Sequence, residues 1–201
     1  MDNASAPAPG ATAAAIRHHY DVGNAFYSLW LDPSHTYSCG LWHGDEDLHG
    51  AQLHKLDWHL EKARARGAER LLDVGCGWGS LLRRATQAHS VGSAVGLSLS
   101  IEQSEWITRQ RLPNIEVRVE SWTEHKPRAP YDAIVSIGAF EHFARLDQSA
   151  DEKRAGYRAF FDFCHRALRP RRWLSLQTIT YENADRSDFS SFFADKIFPE
   201  S

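Results

Sequence analysis

Apolar and polar positions alternate along the chain with two different periods, and this alternation predicts the order of its elements. Five short apolar runs have the length of buried strands: 70–74, 93–97, 115–119, 131–137 and 173–179. Apolar residues at helical spacing predict four longer helices and one short helical piece near 139–145: 48–66, 79–89, 100–111 and 151–168. Strands that alternate with helices indicate an α/β fold, with a doubly wound, mainly parallel sheet covered on both faces.

The N-terminal part of the chain departs from this alternation. Residues 1–14 are rich in Ala and Pro, which predicts a disordered leader. Residues 15–66 predict a helical lid or cap ahead of the α/β core. Its long helix carries leucines at helical spacing, and these predict the buried face: Leu48, Leu53, Leu56 and Leu60.

Composition narrows the class of protein. The chain has 201 residues, 42% hydrophobic and 24% charged, which is ordinary for one globular domain. A net charge of −3 argues against nucleic-acid binding, and no apolar run reaches the length of a membrane span. The well-separated Cys39, Cys76 and Cys164 predict free thiols, and with no signal-peptide pattern they favour the cytoplasm.

Eleven histidines raise the question of a metal site. His54 and His59 lie five residues apart, a spacing that does not align two side chains on one helix face. No His-Glu-x-x-His motif occurs either. We therefore expect no metal site, and we expect these histidines on the solvated surface.

The clearest chemical signal is segment 71–79, Leu-Leu-Asp-Val-Gly-Cys-Gly-Trp-Gly, between a predicted strand and a predicted helix. Glycines there let the backbone turn sharply and approach a ligand closely. A P-loop is excluded because no Gly-Lys-Ser/Thr follows, and a dinucleotide site is disfavoured because the next strand ends without a ribose-binding acid. Two interpretations remain: the S-adenosylmethionine (SAM) loop of class I methyltransferases, or a purely structural tight turn.

Further motifs continue this signal along the chain, at 19–24, 36–39, 97–103, 135–143, 176–180 and 196–199. Together with the glycine segment they closely resemble the cyclopropane-fatty-acyl-phospholipid synthase family, and in particular its mycolic acid cyclopropane synthases. The resemblance covers residues 16–199 and implies a class I methyltransferase that binds SAM. A complete sheet of that fold needs a further helix and two strands, so we expect the core at 67–201 to be C-terminally incomplete.

Carried over residue by residue, the resemblance implies a cofactor site made of Tyr37, Ser38, Asp73, Gly75, Gly77, Gly79, Ser98, Leu99, Gln103, Trp122 and Thr123. The residue types suit that ligand. Glycine amides can bind a carboxylate, the Gln103 amide can bond a ribose, and Trp122 can cover an adenine. The Tyr37 ring can stabilise a sulfonium by a cation–π contact. Thr123 stands where the family has Glu, which removes one acidic contact.

The resemblance also implies the reaction, in which an alkene gains a methyl group and the resulting carbocation loses a proton to close a cyclopropane or ends as a methyl branch. The base in the family is a bound bicarbonate. Its holders would be Cys39, Ile137 and Glu141, with a His in the last strand motif. This chain has Gln177 there, which can donate a hydrogen bond to an anion but cannot titrate near pH 7.

A second departure lies before the last predicted strand, where the family's Pro-Gly-Gly reads Pro170-Arg171-Arg172. Because Arg is poorly suited to a positive φ, we expect a type I turn there. We also expect this run of arginines to be a solvated turn.

The leading hypothesis is a SAM-dependent C-methyltransferase acting on a carbon–carbon double bond of a lipid or lipid-like acyl chain. An N-, O- or C-methyltransferase of a small metabolite stays open because of Gln177. A non-catalytic SAM-binding protein stays open because of the early end at Ser201. The expected partners are a lipid-like or small-molecule acceptor and peripheral contact with a membrane or a carrier protein, without nucleic acid.

Overall fold

The computed structural model describes residues 23–144 and 148–180. The predicted leader, the start of the first motif at 19–22 and everything after residue 180 lie outside this part of the chain. The elements within it are α1 Asn24–Tyr27, α2 Leu48–Lys62, β1 Arg70–Val74, α3 Ser80–Ala88, β2 Ser93–Ser98, α4 Ile101–Arg109, β3 Ile115–Val119, β4 Tyr131–Ile137, a 3₁₀ helix Phe140–Phe143, α5 Ala150–Ala167 and β5 Leu168–Gln177.

The five strands form one parallel sheet in the order β3-β2-β1-β4-β5. The chain runs outward from β1 to β3 and then returns to β4, so the strand order reverses beside β1. Ligands of such sheets bind beyond the carboxyl ends of the strands next to this reversal. The predicted doubly wound α/β fold is confirmed, and the carboxyl ends of β1, β2 and β4 share one rim.

Adjacent residues of β1 point to opposite faces of the sheet and bury each face under helices. Leu71 belongs to a cluster with Leu56 of α2 and Leu82 of α3. Leu72 belongs to a second cluster that contains Phe160 of α5. All five side chains are at most 1% exposed, and full burial of such a side chain contributes about 1.5–3 kcal/mol. The two clusters fix the sheet between its helical layers and hold the rim rigid.

Helix α2 buries a different face from the one that its leucines predict. Leu48 is 40% exposed and Leu53 is only half-buried. The buried face is half polar: Ala51, Gln52, Lys55, Leu56, His59 and Leu60. The predicted end at residue 66 is also wrong, because the helix stops at Lys62 and Arg64 takes a φ of +52°.

Strand β5 begins at Leu168, five residues before its predicted start. The expected type I turn is wrong, because Arg171 has a φ of +63°, a sign that no central position of a type I turn has. The buried carboxylate of Asp132 binds both neighbouring guanidinium groups, Arg169 at 3.0 Å and Arg172 at 3.2 Å. Arg169 and Arg172 are therefore bound to the buried carboxylate of Asp132, although both arginine side chains are also exposed to solvent.

Candidate active site

The glycine segment turns sharply after β1, and its three glycines serve different ends. All three have positive φ: Gly75 +82°, Gly77 +52° and Gly79 +78°. A Cβ on Gly75 would overlap that of Ala139, and one on Gly79 would lie 2.9 Å from Ile107 Cγ1. A Cβ on Gly77 would meet nothing within 4 Å. Gly75 and Gly79 are therefore needed for close packing, whereas Gly77 leaves open space at the rim.

A cavity opens at this rim, over the carboxyl ends of β1, β2 and β4. Most of the predicted cofactor residues line it: Tyr37, Ser38, Asp73, Gly75, Gly77, Ser98, Leu99, Gln103 and Trp122. Gly79 and Thr123 do not. Gly79 packs against Ile107 instead, and the exposed Thr123 bonds to Ser121 Oγ, at 3.2 Å from its backbone N and 2.9 Å from its hydroxyl. The structure thus brings nine of the eleven residues to one cavity.

The amide of Gln103 is held in one orientation at the start of α4. Ser98 Oγ donates to Gln103 Oε1 at 2.8 Å, and the backbone N of Gln103 donates to the Ser100 hydroxyl at 3.2 Å. Gln103 is only 4% exposed. Because its oxygen already accepts a hydrogen bond, the NH₂ group is the part of this amide that can bond a ligand.

Trp122 lies half in the core and half at the cavity. Its ring packs against Phe143, Phe160 and Phe163, at centroid distances of 5.4, 5.4 and 5.8 Å. It is 7% exposed, and part of this exposed surface lines the cavity. The surrounding aromatic rings fix the orientation of the indole, so a flat ligand group would meet a rigid wall.

Asp73 carries the most perturbed carboxyl group at the rim. It lies near the end of β1 and is 3% exposed. Burial raises its pKa from 3.8 to about 7, because the charged form loses its hydration. An Asp in this state can receive hydrogen bonds from a ligand, and a bound cationic or donor group would favour its ionised form.

The polar face of α2 holds the segment 36–39 in place beside the cavity. Gln52 Nε2 donates to the carbonyl oxygens of Thr36 at 3.3 Å and Ser38 at 2.7 Å. Lys55 Nζ donates to Ser38 Oγ at 2.5 Å. Burial lowers the pKa of Lys55 to about 8. The segment that carries Tyr37 and Ser38 is therefore held by two buried polar side chains of α2, Gln52 and Lys55.

The residues predicted to hold a catalytic base also meet, at the ends of β4 and β5. Ile137 pairs with Gln177 across the two strands. Gln177 Nε2 lies 3.3 Å from Cys39 Sγ, and Glu141 Oε2 accepts from Thr178 Oγ1 at 2.9 Å. Burial raises the pKa of Glu141. Of the four residues, only Ile137 lines the cavity itself. Beside it lie Gln177 in contact with Cys39, and Glu141 in contact with Thr178, which directly follows Gln177; we refer to Cys39, Glu141 and Gln177 as the catalytic cluster.

Sequence reasoning missed several residues of this region. His35, Trp78, Glu120 and His142 also line the cavity. Glu120 directly follows β3, so its position at the carboxyl end of a strand is a signal that could have found it. An acid therefore lines the cavity at this edge even though Thr123 replaces the Glu of the family motif.

The expectation that His59 lies on the solvated surface is wrong. The residue is 2% exposed, because α2 packs it against β5. Its Nδ1 lies 2.8 Å from Ser175 Oγ and its Nε2 lies 3.1 Å from Gln177 Oε1. His54 is 43% exposed at its side chain and contacts Glu46.

Among residues 23–144 and 148–180, no helix is long and apolar enough to cross a membrane. No group of three or more His, Cys, Asp or Glu side chains among them is arranged to hold a metal ion.

A parallel sheet with this strand order, a glycine turn after β1 and a cavity at the carboxyl rim define the class I methyltransferase fold. Solved structures agree with this class. One of coclaurine N-methyltransferase superposes with a TM-score of 0.75 over 90% of this chain and 53% of that one, at 23% identity. The chain belongs to the mycolic acid cyclopropane synthetase family, whose profile it matches over residues 9–201.

Curated and solved relatives agree with this assignment. Cyclopropane mycolic acid synthase 2 of Mycobacterium bovis is 36% identical over 206 residues, 92% of this chain and 66% of that protein. Cyclopropane mycolic acid synthase 1 of Mycobacterium tuberculosis is 38% identical over 173 residues, 83% of this chain and 56% of that protein. A crystal structure of mycolic acid cyclopropane synthase CmaA1, complexed with SAH and CTAB, matches at 33% identity and a TM-score of 0.81. That match covers 96% of this chain and 70% of that one. The chain thus spans 66% and 56% of the length of the two curated relatives.

Proposed function

We propose that the chain is the SAM-binding part of a C-methyltransferase that acts on a carbon–carbon double bond of a lipid or lipid-like acyl chain. The observation that carries the proposal is the cavity at the sheet rim, where residues from four separate motifs meet Trp122. Family membership supports the same reaction class, and SAH is bound in the matching CmaA1 structure.

Open space and polar groups in the cavity support the proposed cofactor. Gly77 leaves space where any side chain would project, which suits close approach of a ligand to the backbone. The Gln103 NH₂ group would hold a ribose hydroxyl, the Asp73 carboxyl group would accept from the ligand, and Trp122 would cover the adenine. SAM would supply an electrophilic methyl group on a sulfonium, and the ring of Tyr37 would stabilise that cation.

The cluster beside the cavity would handle the proton that the reaction releases. After the double bond gains a methyl group, the acyl chain carries a positive charge, and loss of one proton closes the ring or leaves a methyl branch. A bicarbonate held by Cys39, Ile137, Glu141 and Gln177 would take that proton. Gln177 would donate a hydrogen bond to the anion, and burial, which raises the pKa of Glu141, favours the protonated form that could share a hydrogen bond with it. A neutral carboxyl at that point avoids repulsion between two anions.

The acceptor and the setting follow from the same proposal. The carbocation requires a dry, apolar environment, so the acceptor would be an acyl chain delivered to the rim by a membrane surface or a carrier protein. The buried Cys76 and Cys164 and the exposed Cys39 are free thiols, which suits a reducing cytoplasm.

Deuterated SAM tests the reaction and its outcome together. The full chain is incubated with CD₃-labelled SAM and a phospholipid or acyl thioester that has one double bond, and a saturated analogue is the control. Ring closure retains two deuterium atoms in the product and methyl branching retains three. Label in neither unsaturated acceptor, with SAM binding intact by calorimetry, would exclude the acyl substrate.

Gln177 favours one competing activity, transfer to a nitrogen, oxygen or activated carbon of a small metabolite, which needs no bicarbonate. The same labelled SAM distinguishes the two, because a heteroatom acceptor keeps all three deuterium atoms and its rate does not depend on bicarbonate. A chain that binds neither SAM nor SAH at millimolar concentration would exclude both enzymatic proposals.

A further inference from the structure

The buried face of α2 carries a line of polar side chains toward the candidate catalytic cluster. Gln52, Lys55 and His59 follow one another at spacings of three and four residues, which places them on one side of a helix. Each is at most 3% exposed. The first two hold the segment 36–39. His59, at the other end of the line, contacts the end of β5.

His59 is enclosed, and both of its ring nitrogens have partners. Nδ1 lies 2.8 Å from Ser175 Oγ and Nε2 lies 3.1 Å from Gln177 Oε1. An amide oxygen can only accept, so Nε2 carries the hydrogen, and the bare Nδ1 accepts from the Ser175 hydroxyl. Burial and the nearby charge of Lys55 lower the pKa of His59, which keeps the imidazole neutral at pH 7.

This contact decides which end of the Gln177 amide faces the catalytic cluster. With its oxygen committed to His59, the amide directs Nε2 to Cys39 Sγ at 3.3 Å. Without the imidazole donor, the amide could turn over and present its oxygen to the cluster. An anion there needs a donor, and an amide oxygen in its place would repel it.

We infer that His59 is a positioning residue for Gln177, fixing the amide so that its NH₂ group faces Cys39 and the anion that the cluster would hold. The inference rests on the proposed function for its catalytic meaning, although the orientation of the amide does not. Where the family has an imidazole, this chain has the amide of Gln177. The imidazole of His59, on the neighbouring helix α2, acts through that amide. The reach is short, since the two side chains are in direct hydrogen-bond contact.

A double-mutant cycle tests the catalytic consequence. His59→Phe keeps a ring of similar size without the donor, and we expect kcat to fall about tenfold, in line with the loss of one oriented hydrogen bond. The Kd for SAM should change less than twofold, because His59 does not line the cavity. In a Gln177→Ala background the same change should lower kcat less than twofold. His54→Phe, on the exposed side of the same helix, is the matched control and should leave kcat unchanged.

A conservative variant guards against a simple loss of folding. His59→Gln retains an N–H donor and should recover most of the activity that His59→Phe loses. Equal losses in His59→Phe and His59→Gln, with unchanged thermal melting, would overturn the inference. So would equal effects of His59→Phe in the presence and absence of the Gln177 amide.

Nitrogen-15 NMR of the imidazole tests the orientation without any activity. We expect a neutral His59 with the hydrogen on Nε2 at pH 7, and loss of that single tautomer in Gln177→Met. Hydrogen on Nδ1 would mean that the amide faces the other way, and it would overturn the inference. A chain that shows the expected tautomer but transfers no methyl group to any acyl acceptor keeps the positioning role and loses the proposed function. A chain that transfers methyl groups, but in which the effects of His59→Phe and of the Gln177 substitution are additive, keeps the proposed function and loses the positioning role.

Discussion

Replacing Asp73 with Asn should stabilise the ligand-free protein, and the gain should depend on pH. The folded chain holds the proton of Asp73 up to about pH 7, whereas an unfolded Asp releases it near 3.8. Between these values the folded state binds more protons, so the stability of the wild type falls as pH rises through that window. The gap of roughly three pH units corresponds to a ceiling of about 4 kcal/mol at pH 8. Asn avoids this cost because it carries no charge.

The measurement is thermal unfolding of both ligand-free chains at several pH values between 4 and 8. For a chain of this length, each kcal/mol moves Tm by about 2–4 °C, so Asp73→Asn should melt up to about 16 °C above the wild type at pH 8. At pH 4 the two should melt within about 2 °C of each other, since the wild-type carboxyl is then protonated. Asp45→Asn, at an exposed carboxyl group, is the control and should show no such divergence.

Two results would refute this reasoning about Asp73. One is a Tm difference between Asp73→Asn and wild type that stays the same from pH 4 to pH 8. The other is a variant that is less stable than the wild type at pH 8, because that would mean that the ionised carboxylate is stabilised by partners in the folded chain.

Three further predictions concern other parts of the molecule. Gly77→Ala and Gly67→Ala each place a Cβ at a positive φ in open space, so each should cost about 1 kcal/mol in urea unfolding, but only Gly77→Ala should weaken SAM binding in calorimetry. Gln177→His should raise bicarbonate-dependent methyl transfer in the labelled-SAM assay, and an unchanged rate on a heteroatom acceptor would favour the competing activity. Asp57→Ala, which removes a carboxylate that joins α2 to Arg84 within α3 and to His89 just after it, should cost about 2 kcal/mol with unchanged SAM affinity.

The sequence predicts the bounds of most strands but not the start of β5. Strands β1, β3 and β4 match their predicted bounds, because buried parallel strands consist of short apolar runs between turns. The start of β5 could not be found in this way, because its first residues are exposed arginines held by Asp132. That carboxylate is distant in sequence, so no local pattern indicates the pairing.

Site residues could likewise be predicted where the signal is local in the sequence, and could not where it depends on distant contacts. Motif positions at strand ends were enough to place nine of the eleven predicted cofactor residues at the cavity, since the carboxyl ends of parallel strands must share a rim. His59 was not predicted, because its burial depends on contact with β5. Its partner there, Ser175, is 116 residues away in the sequence. A helix face made of Gln, Lys and His looks solvent-exposed in sequence, and only its tertiary contacts make it part of the site.

Because Lys55 and His59 are one turn apart on a single rigid helix, α2 links two regions that the motifs treat as separate. Lys55 holds the segment 36–39 at the cavity, and His59 holds the end of β5 beside it. A small rotation of α2 would shift both at once. Across α2 variants that shift the whole helix, as distinct from the replacement of His59 alone, SAM affinity and turnover should therefore rise and fall together, whereas variants of the glycine turn should alter affinity alone.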